Sequence, residues 1–365
     1  MKQIRYILLL VLVALVGCTK MEYMPEPAKE ITFTVANYVP SATKASSLID
    51  GQDNITSFST RAWLYAEGYE SAAQDFFGAA GETITWNASA HEWAPSHAYY
   101  WPKSSNSYLN FVSWYDNEGA PTAVSETALE WTGRTITGTD NIMFADAAWR
   151  YNHNVSTYQF NSVVAGVPTL FHHALSRVQV NLRSTHSTNP DVPTETYEVT
   201  LQSASFQGIY QRGTMKLVNS DLESTGTRAW RSNIKPTLLW STASGSNATP
   251  IVAVNSNTTI GTGNTAILAQ RSFLPQDLGD AAVLTLTYSV TTRSNGVVTA
   301  IESDIPVTIV LNTVTNASDV EITQWLPNRI YTYNIAINPI GQDILLNPVV
   351  ESDWGVSADL STTVE

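Results

Sequence analysis

Arg177-Val178-Gln179-Val180-Asn181-Leu182-Arg183 alternates polar and apolar residues without a break. In an extended chain successive side chains point to opposite faces, so Val178, Val180 and Leu182 form one apolar face and the Arg, Gln and Asn side chains the other. This is the period of a β-strand with one buried side. The pattern recurs along the chain. Ile31, Phe33 and Val35 alternate with Thr32 and Thr34, and Trp63 and Tyr65 with Ala62 and Leu64. Leu284, Leu286, Tyr288 and Val290 repeat it, as do Ile305, Val307, Ile309 and Leu311, then Tyr331, Tyr333, Ile335 and Ile337. Clusters of Gly, Asn and Ser separate these runs, and Ser294-Asn295-Gly296 predicts a tight hairpin turn. Helical periodicity is scarce, with a single short helix predicted at 276–282. Many short strands with one apolar face predict an all-β fold of antiparallel sandwiches.

Composition agrees. The chain has 365 residues, 43% hydrophobic and 14% charged, with 11 Trp, 16 Tyr and 10 Phe, enough apolar area to exclude disorder for most of it. At roughly 150 residues per domain, this length predicts two domains. Seven of the 11 Trp fall between 63 and 149, which predicts two cores of different composition meeting near Ser162–Pro168. The expected division is therefore 30–165 and 166–365. A net charge of −13, with no basic stripe, excludes nucleic acid as a partner.

The N-terminus has the form of an export signal. Lys2 and Arg5 precede an unbroken apolar run, Ile7–Val16, which is too short to span a bilayer, since spanning takes about 20 residues. The run ends in Leu15-Val16-Gly17-Cys18, and Cys18 is the only cysteine. This resembles the bacterial lipobox, in which the Cys is acylated and becomes the mature N-terminus. The expectation is a lipoprotein signal peptide over 1–17, lipidation at Cys18 and attachment to the outer membrane through that lipid. Residues 18–29, with Pro25 and Pro27 and no apolar period, read as a tether. A lone Cys leaves no disulfide, so packing alone must hold the fold.

No catalytic constellation emerges. The histidines His91, His97, His153, His172, His173 and His186 show no ligand spacing, and the adjacent His172 and His173 point to opposite faces of a strand. There is no Gly-x-Ser-x-Gly elbow and no phosphate-cradling glycine loop. The carboxylate pairs Glu67/Glu70 and Asp116/Glu118 lie in turn-like surroundings and read as solvated loop charges. The expectation is no enzyme activity, no metal and no cofactor. The aromatics of His97-Ala98-Tyr99-Tyr100-Trp101-Pro102 and Trp114-Tyr115 admit two readings: packing of the first sandwich, or an exposed stacking platform of a surface glycan-binding lipoprotein.

The same residues carry a family resemblance. Tyr99-Tyr100-Trp101-Pro102, followed by Leu109-Asn110-Phe111-Val112-Ser113-Trp114-Tyr115, resembles the fimbrillin pattern, as do Asp140-Asn141-Ile142-Met143-Phe144-Ala145 and Leu170-Phe171-His172-His173-Ala174-Leu175-Ser176-Arg177-Val178. Near the end, Trp325-Leu326-Pro327-Asn328-Arg329-Ile330-Tyr331-Thr332-Tyr333 resembles a further family segment, with Asn328 where Gly is usual, and Val349–Trp354 resembles the closing strand.

The resemblance implies two tandem transthyretin-like sandwiches exported as a lipoprotein and built into a surface fimbria. Its partners would be other fimbrial subunits, in a homo- or hetero-polymer, with a host protein or glycan as receptor. In that family a stalk subunit loses its first strand by proteolysis after a basic residue, and a strand from another subunit fills the groove. Here Glu30–Val39 would be the strand that leaves, with Lys44 in the next loop as the cut site. Arg61, within a strand-like run, is the other candidate; a protease specific for Arg would not cut at Lys44. The donor would be the face formed by Trp354, Val356, Ala358 and Leu360. Four such side chains, at roughly 1.5–3 kcal/mol each, would make a long-lived joint.

Overall fold

The structure is a computed structural model that describes residues 29–37, 55–67, 73–104, 106–152, 166–218, 237–244, 249–252, 255–316, 319–341 and 344–353. The signal peptide, Cys18, most of the tether, Lys44 and the donor residues Trp354, Val356, Ala358 and Leu360 lie outside the described residues.

The first half contains β1 (Phe33–Asn37), β2 (Ser57–Tyr65), β3 (Gln74–Asp75), β4 (Glu82–Asn87), β5 (Glu92–Pro95), β6 (Tyr108–Asp116), β7 (Ala123–Val124), β8 (Ala128–Thr135), β9 (Ile142–Ala145), β10 (Ala148–Tyr151) and β11 (Val167–His173). The second contains β12 (Ser176–Ser184), β13 (Glu195–Gln207), β14 (Arg212–Val218), β15 (Thr237–Ser244), β16 (Thr249–Val252), β17 (Thr258–Ile260), β18 (Thr265–Phe273), β19 (Gln276–Asp277), β20 (Val283–Ser294), β21 (Val297–Val310), β22 (Gln324–Trp325), β23 (Arg329–Ile337) and β24 (Ile344–Asp353). The predicted all-β class holds. Among the described residues the one helical element is a single 3-10 turn, Leu311–Thr313. The helix predicted at 276–282 is not formed: Gln276 pairs with Trp325 in a short ladder, and its side-chain amide bonds Tyr210 and Leu274.

The second half is a sandwich. Sheets β18-β12-β23-β24 and β16-β13-β20-β21 pack face to face. Val178, Val180 and Leu182 are fully buried there, opposite Leu284, Leu286 and Tyr288. The Asn295-Gly296 turn has φ of 51° and 80°, the positive values that the predicted hairpin requires.

The first half closes on itself. The pairings run β6-β9-β11-β1-β5-β4-β2, and β2 returns to β6, so seven strands form a hydrogen-bonded ring. Its interior holds Phe33, Phe58, Ile84, Trp93, Leu109, Phe111, Met143 and Phe171. Most ladders are antiparallel, but β1 runs parallel to β11 and β12 parallel to β23. Such pairs need long connections, and each here joins segments more than 130 residues apart.

Two features join the halves. β11, which begins just past residue 165, pairs inside the ring, and sheet membership changes only across Ala174 and Leu175, both fully buried. A further sheet, β15-β14-β8-β7, takes strands from both halves. It encloses a third core of Trp63, Val112, Trp114, Leu129, Trp131, Phe144, Met215 and Leu217 against the outer face of the ring.

Candidate functional site: the first strand and its groove

Strand β1 is the element on which ring closure depends. Its alternation works as the sequence predicts: Ile31, Phe33 and Val35 are 1%, 4% and 2% exposed and point into the ring. Phe33 meets Phe58 and Phe111 edge to face, with ring centroids 5.7 and 5.8 Å away. Burial of these three side chains contributes roughly 5–9 kcal/mol in all, at about 1.5–3 kcal/mol each.

The strand is held differently on its two sides. Toward β11 it keeps a regular parallel register, from Phe33 opposite Val167 to Asn37 opposite Phe171, with the Val167 N–H donating to the Thr32 carbonyl at 2.7 Å. The chain passes close enough at Gly166 that a Cβ there would lie 2.8 Å from the Thr32 oxygen. Toward β5 only Phe33 and Trp93 pair. Beyond that point the Tyr99-Tyr100-Trp101 segment takes over. The Ile31 N–H donates to the Tyr99 carbonyl at 2.7 Å, and the Trp101 N–H to the Lys29 carbonyl at 3.0 Å. The aromatic motif thus forms a ledge for the start of the strand.

That placement decides between the two readings of the aromatics. Trp101 and Trp114 are 2% and 6% exposed, the first packed on Phe111 and Tyr151 and the second in the third core. Tyr99 and Tyr115 are half-buried, and Tyr100 alone stands out, its hydroxyl 3.4 Å from Glu30 Oε1. These residues form no exposed stacking platform. Burial, then a hydrogen bond to Glu82, raises the Tyr99 hydroxyl above the usual tyrosine range, and burial raises Tyr151.

Arg61 sits in mid-strand in β2, paired with Val112 of β6 on one side and, on the other, between the stretch of β2 that pairs with β4 and the stretch that pairs with β3. Its guanidinium pairs with Asp75, donates to the Val124 carbonyl at 2.8 Å and stacks over Trp63 at 5.0 Å.

The remaining candidates are structural. His172 and His173 occupy opposite faces of β11, as expected. His172 Nε2 lies 2.6 Å from Asp146 Oδ1, with the ring stacked on Phe144, and His173 Nδ1 lies 3.1 Å from Asn141 Oδ1. Burial, with the charge of Arg177 and then of His172, holds His173 well below the usual histidine range. Glu67 accepts from Ser104 and Asn106, bonds that hold its carboxyl below the usual range.

Asp116 corrects the sequence reading of a solvated loop charge. Its side chain is fully buried, bonded to Arg134 at 3.0 Å and to Trp131 Nε1 at 3.0 Å. Asp140, which the sequence singled out only as part of a motif, is the other buried partner of Arg134, and it accepts from the Thr137 and Gly138 N–H groups and the Thr137 hydroxyl. Among the described residues no cluster of three metal-ligating side chains forms.

Several solved structures are similar to this chain. A fimbrial protein from Bacteroides vulgatus superposes with a TM-score of 0.53 at 11% identity, over 89% of this chain and all of that one. Candidate cell adhesion proteins from Bacteroides uniformis and Bacteroides ovatus superpose with TM-scores of 0.43 and 0.41, each at 12% identity, over 89% and 91% of this chain and 98% and 99% of theirs. No curated protein matches the sequence significantly. A family model described as fimbrillin-like matches residues 43–354, most of the chain, so the protein belongs to the fimbrillin-like family.

Proposed function

We propose that the protein is a structural and adhesive subunit of a cell-surface fimbria, exported as a lipoprotein acylated at Cys18 and assembled by β-strand exchange. The observation that carries this reading is the position of β1. It is the first strand among the described residues and it completes a closed ring, and a 19-residue segment with one basic residue, Lys44, separates it from β2. One cut after Lys44 severs β1 from the rest of the chain. Its loss would open the β11 and β5 edges together with the pockets of Ile31, Phe33 and Val35. A strand from another subunit would then fill the groove by main-chain pairing and alternate side chains.

Lys44 is the better processing site of the two. A protease binds its substrate as an extended segment, and Arg61 lies mid-strand in β2, paired with Val112 of β6 and with its guanidinium held by Asp75 and the Val124 carbonyl. The proposed donor is Trp354, Val356, Ala358 and Leu360, which directly follow edge strand β24. Other fimbrial subunits are its partners and the cell surface its location. The proposed division is a ring domain and a sandwich domain, and the family reading assigns no enzymatic step.

The test is the N-terminal sequence and intact mass of the protein from its native envelope. The expected result is a chain starting at Ala45 within SDS-resistant ladders. A monomer starting at acylated Cys18 overturns strand exchange as its mode of assembly.

A further inference from the structure

From the sheet that both halves share, we infer that the β14–β15 hairpin of the second half is a brace, holding the ring ready to accept a strand once β1 has gone. This rests on the proposed departure of β1 and adds what keeps the groove in shape afterwards.

Without β1 the pairing runs β11-β9-β6-β2-β4-β5, still continuous because β2 and β6 pair over seven residues, Ser59–Tyr65 against Tyr108–Trp114. The groove's two walls, β11 and β5, become free edges of an opened sheet. Such a sheet, with part of its inner core removed, has no reason of its own to keep the curvature of the ring; curled sheets hold their shape by closure or by packing.

Packing comes from outside. β14 pairs antiparallel with β8, from Arg212 opposite Thr135 to Val218 opposite Ala128. Met215 and Leu217, 1% and 2% exposed, face Trp114, Phe144 and Trp63 on the backs of β6, β9 and β2. These are the middle strands of the opened sheet. The contact is keyed at its end: the Ile136 N–H donates to the Gln211 carbonyl at 2.8 Å, the Gly133 N–H to the Thr214 hydroxyl at 3.1 Å and Arg212 Nε to the Gly133 carbonyl at 3.0 Å. In chain order the hairpin interrupts the second sandwich, since β13 and β16, on either side of it, pair with each other. It therefore leaves its own domain to pack on the other. β1, β11 and β5 make no ladder with this sheet, so strand release removes none of the brace's own pairing.

The experiment uses the mature chain with a site-specific protease sequence in place of residues 41–47. Amide exchange on β6 and β9 is followed before cutting, and again after cutting and separation of the released strand. In the wild type the amides of Phe111, Val112 and Phe144 should keep their protection after β1 leaves. In the double variant Met215→Ala, Leu217→Ala they should be protected while β1 is in place and exchange at least tenfold faster once it is gone. Equal protection of wild type and variant after release overturns the brace, as does loss of protection in the wild type itself. If the double variant unfolds before cutting, Leu217→Val, which deletes one methylene, supplies the same comparison. A cut chain that never releases β1 defeats the strand-exchange reading at a visible earlier step, and takes this inference with it.

Discussion

Replacing Phe33 with Ala tests the claim that β1 is a separable plug and not an integral part of one cooperative core. The side chain is 4% exposed and touches Phe58 and Phe111 from the end of a five-residue strand. Truncating a buried Phe costs about 3–5 kcal/mol, the transfer of the ring plus the cavity left behind. If β1 opens locally, that cost falls on the β1 opening equilibrium, which should rise by about two to three and a half orders of magnitude. The assay is native-state amide exchange of the intact chain, read by residue. Amides of β1 and of β11 between Val167 and Phe171 should exchange faster by that factor. Amides of β20 and β23, in the sandwich of the second half, should stay within about twofold. A rise of less than tenfold on β1 would show that Phe33 is not what seats it. An equal rise in both halves would show that β1 opens only when the whole molecule unfolds, and strand exchange would then need global unfolding.

Other expectations follow from single groups. Gly166→Ala puts a methyl 2.8 Å from the Thr32 carbonyl oxygen; such overpacking costs about 1–3 kcal/mol, and amide exchange should place the loss on β1 and β11. Asp140→Ala removes four hydrogen bonds and leaves Arg134 with Asp116 as its one carboxylate partner among the described residues. Breaking a buried pair in this way costs about 3 kcal/mol or more, so the melting temperature should fall by roughly 6–12 °C, read by calorimetry. His173 is held neutral in the fold, chiefly by burial, so its pKa is depressed relative to the unfolded chain. The unfolded state then binds more protons below about pH 6.5, and stability should be full above that pH and decline as pH falls toward the folded-state value. His173→Gln should flatten that part of a melting-temperature profile between pH 7 and pH 5.

What could be read from sequence was what depends on neighbours along the chain. Period-two alternation marked the inward faces of β12, β20 and β23, and Asn295-Gly296 marked a turn whose positive φ values only a few residue types accept. What could not be read was which strand meets which. The parallel pairing of β1 with β11 joins residues about 134 apart, and nothing in either pattern encodes the partner. Met215 and Leu217 lie on a strand of the second half, so their service to the core of the first could not be foreseen from local periodicity. Asp116 was misread for a related reason. Its turn-like neighbours suggest solvent, and its burial comes with partners that reach it from β8, Arg134 and Trp131. Arg61 was legible in outline, since the strand-like run around it already argued against a loop.

Edges supply the last step. A strand edge with open N–H and C=O groups is a hazard for an exported β protein, and proteins blunt such edges with bulges, charges and proline. β21, the longest strand among the described residues, does all of this. Its register against β20 shifts twice, Asp304 sits at φ 57° beside one of the shifts, and Pro306 and Glu302 flank it. Its exposed Val297, Val298 and Ile301 therefore adorn an edge that is poor at pairing. β11 has no such defence on its β1 side. Its ladder there runs Val167 to Phe171 without a shift, and its only proline, Pro168, pairs in register with Thr34. An edge this regular stays harmless only while a strand lies on it. β1 does so in the intact chain, so if assembly proceeds by the proposed strand exchange, the unblunted edge of β11 is where a second strand would pair once β1 is released.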